Sequence, residues 1–184
     1  YLGTSFSMLV LSSLVIMAVT LLFQDPLLTL FGASENTLGY AREYLTTYIL
    51  GTVFVQLTVG MNYYITTQGF AKTAMVTTML GGVLNIVLDP VFIFALGMGV
   101  QGAALATVLS QFASFVWVLA FLFGKRTHLK IRKENLLPRF SVLKEIVVLG
   151  SAPFFMSLSE GALNICFNNQ VRHFAGDAAV GAMT

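Results

Sequence analysis

Charge is what this chain has least of. Ten Lys and Arg and eight Asp and Glu make up 10% of 184 residues, where a soluble domain carries about 25%. With 57% hydrophobic residues and a mean hydropathy of +0.83, water is excluded as the solvent for most of the surface. A single cysteine, Cys166, rules out an intrachain disulfide. The two histidines, His128 and His173, have no ligand neighbour at useful spacing, and there is no CxxC pair and no HExxH. No metal site and no catalytic centre are therefore expected. GxGxxG and P-loop signatures are also missing, so the chain reads as neither an enzyme nor a cofactor protein, and any transport would run on an ion gradient. No basic segment precedes the first apolar run, Tyr1 is not an initiator Met, and Met183-Thr184 falls within helix-like sequence, so both ends read as cut.

What is present in quantity is long uncharged runs. Spanning a bilayer takes about 20 apolar residues, and five segments qualify. The first, Leu2 to Phe23, is closed by Gln24-Asp25-Pro26, since proline and charge continue a helix poorly at an interface. A linker with Leu27, Leu28, Leu30 and Phe31 before Gly32 predicts a short interfacial helix and a turn. The second span is expected as one helix over Tyr44 to Ala71, with tyrosines near both ends as in an interfacial belt. The third runs from about Thr73 to Leu96, interrupted at Asp89-Pro90; a glycine-rich reversal over 97–102 leads into the fourth, Ala103 to Phe123. The fifth covers roughly Ile146 to Val171 and contains Pro153. Gly176-Asp177 resembles the cap of a sixth helix. The expected organisation is four spans in 1–124, a basic linker over 125–145, and from 146 to 184 one further span and the start of the next.

Orientation follows from lysine and arginine. Eight of the ten basic residues, Lys72 and seven in the linker, fall on one side of the membrane, and only Arg42 and Arg172 on the other. The positive-inside rule makes the first side cytoplasmic. Between two hydrophobic spans, the basic linker is explained by topology, and no nucleic-acid partner is expected.

Polar residues inside spans carry the remaining information, because hydrocarbon offers them no hydrogen-bond partner. On the fifth span Ser157, Glu160, Asn164 and Asn168 recur on one helical face. An ionised carboxylate near the bilayer centre costs at least about 2.5 kcal/mol. Glu160 therefore suits a site that takes up a proton or a cation, or else an ion pair or hydrogen bond with another helix. On the third span Asn85 and Asp89 lie one turn apart before Pro90; Asp89 either caps a helix restarted at the proline, in which case Asn would replace it, or binds a cation or proton. Thr52, Gln56, Gly60, Tyr63 and Thr67 line one face of the second span, and Thr107, Gln111 and Ser114 a face of the fourth. Such groups either join helices or line a cavity.

At the third span the sequence becomes recognisable. Gly82-Val83-Leu84-Asn85-Ile86-Val87-Leu88-Asp89-Pro90-Val91-Phe92-Ile93-Phe94, then Gly99-Val100-Gln101-Gly102-Ala103-Ala104-Leu105-Ala106-Thr107 and Ser110-Gln111, closely resemble the multidrug and toxic compound extrusion (MATE) family. Leu30-Phe31-Gly32-Ala33, Tyr44-Leu45 and Gln68-Gly69 with Lys72 support the match. The resemblance implies an all-α, polytopic transmembrane bundle, part of a twelve-helix, two-lobe transporter, whose five spans correspond to the third to seventh helices. It implies residues 125–145 as the cytoplasmic connection between lobes, the remaining helices of a longer chain as partners, and a multi-pass location in the plasma or inner membrane. The implied activity is export of cationic or amphipathic compounds by alternating access, in exchange for H+ or Na+. The family commonly carries a membrane-embedded glutamate on the seventh helix, which Glu160 resembles. Rival readings are a lipid-linked oligosaccharide flippase of the same superfamily, which should show a basic cavity, and a membrane-embedded enzyme or channel subunit.

Overall fold

In the computed structural model residues 1–124, 127, 129 and 140–183 are described, the last helix with its side chains over 141–171 only. The described chain is all helical. Helix α1 (Leu2–Leu22) is followed by the short α2 (Gln24–Leu30), α3 (Leu38–Leu50), α4 (Thr52–Thr67), α5 (Ala71–Pro90) with a π-type turn over Val91–Ala95, α6 (Gly99–Phe123) and α7 (Phe140–Met183). Among the described residues, four helices are long and apolar enough to cross a membrane, and α3 with α4 makes a fifth, bent crossing.

The break between α1 and α2 falls at Phe23, and Pro26 then occupies the first turn of α2, where a missing N–H costs nothing. Asp25 on α2 receives a two-pronged ion pair from Arg42 of α3, at 2.6 and 3.0 Å, and Gln24 donates to the Arg42 carbonyl and to Thr46. The polar connection is thus tied to the helix that follows it.

The second span is not the single helix expected. Helix α3 starts at Leu38, and the chain bends by 53° at Gly51 before α4 begins. The cause lies on α6. A Cβ on Gly51 would stand 2.6 Å from Val108 Cγ2, so the glycine lets α6 approach and the chain turns around that contact. The Gly51 N–H drops back to the Tyr48 carbonyl at 2.9 Å, a tightened turn.

The third span also differs in detail. Asp89 does not cap a restarted helix, because the backbone stays helical through Pro90, at φ −60° and ψ −35°, whereas a capping residue leaves the helical region. The disturbance comes after the proline. Pro90 has no N–H to offer the preceding turn, and the chain widens so that the Leu96 N–H reaches Val91, five residues back, at 2.9 Å. The expected reversal follows, with Gly97 at φ +64° and Gly99 at φ +56°.

Two ends of the bundle are packed differently. Near the α4–α5 turn, Leu2, Met61, Ile65, Ala74, Val118 and Leu122 from α1, α4, α5 and α6 form the buried core, with Phe70 edge-on to Phe121 at 5.1 Å. Near the opposite end Phe54 packs between Phe112 and Phe115. Buried hydroxyls such as Ser13 and Ser110 bond to carbonyls of the preceding turn at 2.8 Å, which satisfies them without any partner helix.

Helix α7 lies beside α1, and its side chains over 147–160 are exposed. It stays helical through Pro153 and through Gly176-Asp177, so the expected start of a sixth helix is replaced by a continuous one; Gly and Asp weaken a helix but do not end it without a competing capping geometry. Of the basic linker, Lys125, Arg126, Lys130, Arg132, Lys133 and Arg139 lie outside the described residues, as does His128; so do the side chains of Arg172 and His173.

Candidate functional site

Helices α4, α5 and α6 enclose a polar cavity of about 320 Å³. Thr58, Asn62, Tyr63 and Thr66 line it from α4, Thr77, Thr78, Gly81 and Gly82 from α5, and Gln111 and Ser114 from α6. Its lining contains no charged residue. Spacing explains the α4 wall, since Thr58, Asn62 and Thr66 stand one turn apart on one face. Asn62 donates through Nδ2 to the Ala74 carbonyl at 3.2 Å, which fixes its amide and turns Oδ1 away. That oxygen and the Thr58 hydroxyl are buried without a partner among the described residues, and Thr58 is only 6% exposed. Unsatisfied acceptors in a low-dielectric wall are costly unless something polar comes to them. Ser114 reaches the Thr77 carbonyl at 3.4 Å, and its Oγ lies 2.8 Å from where a Gly81 Cβ would be, so this wall is built around a glycine.

A second polar group joins α5 to α6 nearer the α2 end. Asn85 donates to Asp89 Oδ1 at 3.2 Å and to Thr107 Oγ1 at 3.3 Å. Tyr44 of α3 brings its hydroxyl up to Thr107 and into the field of Asp89. Thr107 in turn donates to the Ala103 carbonyl at 3.0 Å, leaving its lone pairs to its neighbours. Asp89 is a half-buried carboxylate in a membrane-length helix, held by neutral groups and with no Lys or Arg bonded to it among the described residues.

The residues singled out by sequence divide between these places. Tyr63 and Gln111 meet in the polar cavity. Gln56 instead accepts a hydrogen bond from Ser12 of α1 at 3.1 Å, and Gly60 lies against Leu9, so that face of α4 joins helices. Tyr63 also borders an apolar gap of about 790 Å³ between α1, α4 and α7. On α7, Ser157, Glu160 and Asn164 are exposed and make no hydrogen bond among the described residues. Asn168 packs on Gly32, and its neighbour Asn169 donates to the Leu30 carbonyl at 2.9 Å. The α7 residues are therefore not joined to the α4–α6 cavity. Thr58 and Asn62 were not singled out; their signal is a second polar face on α4, which the sequence shows but does not assign to a neighbour.

Comparison with known proteins gives this architecture a family. A model described as MatE matches residues 1–91. The multidrug export protein MepA of Staphylococcus aureus (strain NCTC 8325 / PS 47) is 28% identical over 165 residues, 90% of this chain and 37% of that protein. MepA of Staphylococcus haemolyticus is 30% identical over 163 residues, 89% of this chain and 36% of that one. The solved structure of the MATE multidrug transporter DinF-BH in complex with a rhodamine dye superposes with a TM-score of 0.91 at 34% identity, covering 98% of this chain and 41% of that one. The chain thus spans well under half the length of the proteins it matches. With its helices superposing on nearly their whole length and its sequence aligning from α1 into α7, this multi-pass membrane chain belongs to the MATE family of transporters.

Proposed function

We propose that this chain forms part of an exporter that expels cationic or amphipathic compounds across the cell membrane by alternating access, in exchange for H+ or Na+. The observation that carries the coupling is Asp89. A charged carboxylate in a transmembrane helix costs at least about 2.5 kcal/mol when uncompensated, and Asn85 and Thr107 are neutral partners. Asp89 therefore holds a proton or a cation, and the binding of one displaces the other. The α4–α6 cavity offers hydroxyls and amides to a polar substrate group. Its lack of Lys and Arg favours this reading over a flippase for pyrophosphate-linked sugars.

In this reading residues 1–124 supply four crossings of one lobe, 125–145 connect the lobes at the cytoplasmic face, and the helix from 146 opens the second lobe. Glu160, with Ser157, Asn164 and Asn168, then offers a second ion or substrate wall on that lobe, and Pro153 loosens the helix below it. The printed activities of the relatives, multidrug export for MepA and a bound rhodamine dye for DinF-BH, support the substrate class.

The test is ion-driven efflux of a cationic rhodamine dye from vesicles containing the full-length transporter, with Asp89→Asn at matched expression. Asn keeps the shape and loses the titration, so efflux should fall at least tenfold and stop responding to the imposed gradient. Wild-type efflux from Asp89→Asn would end the coupling role of Asp89.

A further inference from the structure

The bend at Gly51 has a second consequence beyond packing. Gly51 is buried, with φ −83° and ψ −8°, a conformation open to any residue. The need for glycine here is steric: Val108 side-chain atoms lie 2.6, 3.1 and 3.2 Å from the position a Cβ would take. Val108 follows Thr107 directly on α6, and Tyr44 stands seven residues, close to two turns, before Gly51 on α3. The contact that sets the approach of α3 to α6 therefore lies beside the residue that Tyr44 reaches. Tyr48, one turn on, stacks on Tyr44 with ring centroids 5.7 Å apart and holds the ring on this side.

We propose that Gly51 is a positioning residue for the ion site: the notch it offers Val108 sets the tilt of α3 that carries the Tyr44 hydroxyl to Thr107 and Asp89. Any side chain at 51 pushes α3 off α6, and Tyr44, at the far end of the lever, moves furthest. The hydroxyl then withdraws from the carboxylate while the α4–α6 cavity, on the other side of the bend, keeps its lining. The inference rests on Asp89 as the coupling carboxylate.

The test uses the full-length transporter in proteoliposomes, with a cationic rhodamine as the exported dye and either a Na+ or an H+ gradient as the drive. Gly51→Ala should raise the half-saturating ion concentration about tenfold, the size of one lost hydrogen bond to a charged group, with dye affinity unchanged. Gly51→Ala with Val108→Ala should return the ion dependence towards wild type, because the second substitution reopens the notch. Tyr44→Phe should produce the same shift, and Gly51→Ala should add nothing to it. Should Gly51→Ala not fold, Val108→Ile crowds the notch from the α6 side and is held to the same outcomes. Unchanged ion dependence, a shift that survives Val108→Ala, or full additivity with Tyr44→Phe would each overturn the role of Gly51. Asp89→Asn measured alongside separates the two levels. If it leaves ion dependence intact, the coupling site itself is misassigned and Gly51 falls with it; if it abolishes coupling while Gly51→Ala shifts nothing, Gly51 alone is wrong.

Discussion

Gly102→Ala provides the sharpest test of how α6 is seated. A Cβ at this position would lie 2.8 Å from both the carbonyl carbon and the oxygen of Phe92. Both are backbone atoms in the π-type turn after Pro90, so no side-chain rotation can relieve the contact. Ordinary van der Waals contact begins near 3.4 Å, so α6 and the turn must part by about 0.6 Å. Overpacking of this kind costs about 1–3 kcal/mol, against a gain of about 0.5–1 kcal/mol for replacing glycine inside a helix. The net is a loss, placed towards its upper end by the rigidity of the turn. It should also propagate, because the Asn85–Thr107 bond is already 3.3 Å long and spans the same α5–α6 seam. Thermal unfolding of the purified full-length transporter measures the first effect and ion dependence of dye efflux the second. Gly39→Ala, where a Cβ meets nothing within 4 Å, is the control and should be neutral or slightly stabilising. Equal melting temperatures for Gly102→Ala and Gly39→Ala would refute the packing argument.

Two further outcomes follow from the proposed topology and the α7 face. In a full-length protein with Cys166 replaced by serine, a cysteine at Lys72 should be closed to an impermeant thiol reagent added outside intact cells, while one at Ser34 should label; labelling at 72 from outside reverses the orientation. Glu160→Gln should express and insert normally but export cationic dye several-fold more slowly, with Glu160→Asp partly active; full activity in Glu160→Gln reduces that residue to a structural one.

The crossings were legible because their cause is local. Uncharged runs near 20 residues and a few charged or glycine-rich breaks fix them without reference to any neighbour, and α1, α5 and α6 begin and end close to the expected positions. Breaks within the crossings were not legible. Gly51 sits in an ordinary apolar stretch, and only Val108, 57 residues later on another helix, turns it into a bend. Asp89-Pro90 carried two local meanings, a cap and a widened turn, and the choice depended on whether α6 could pack against the turn that Pro90 leaves behind, which it does at Gly102.

The same distinction governs the functional residues. Helix α4 has two polar faces at helical spacing: Gln56 and Gly60 on one, Thr58, Asn62 and Thr66 on the other. Spacing alone makes both look like sites. Once α1 packs on the first, its amide is answered by Ser12 and its glycine by Leu9, and that face becomes glue. The second faces α5 and α6 across a gap, its acceptors stay unanswered, and it becomes a cavity wall. A polar residue in a membrane helix therefore declares function by what fails to meet it. By that measure Asn62, Thr58 and Asp89 have a stronger claim within these helices than Gln56. Glu160, exposed on α7 with no partner drawn up to it among the described residues, has a claim that depends on which helix of the full-length transporter comes to face it.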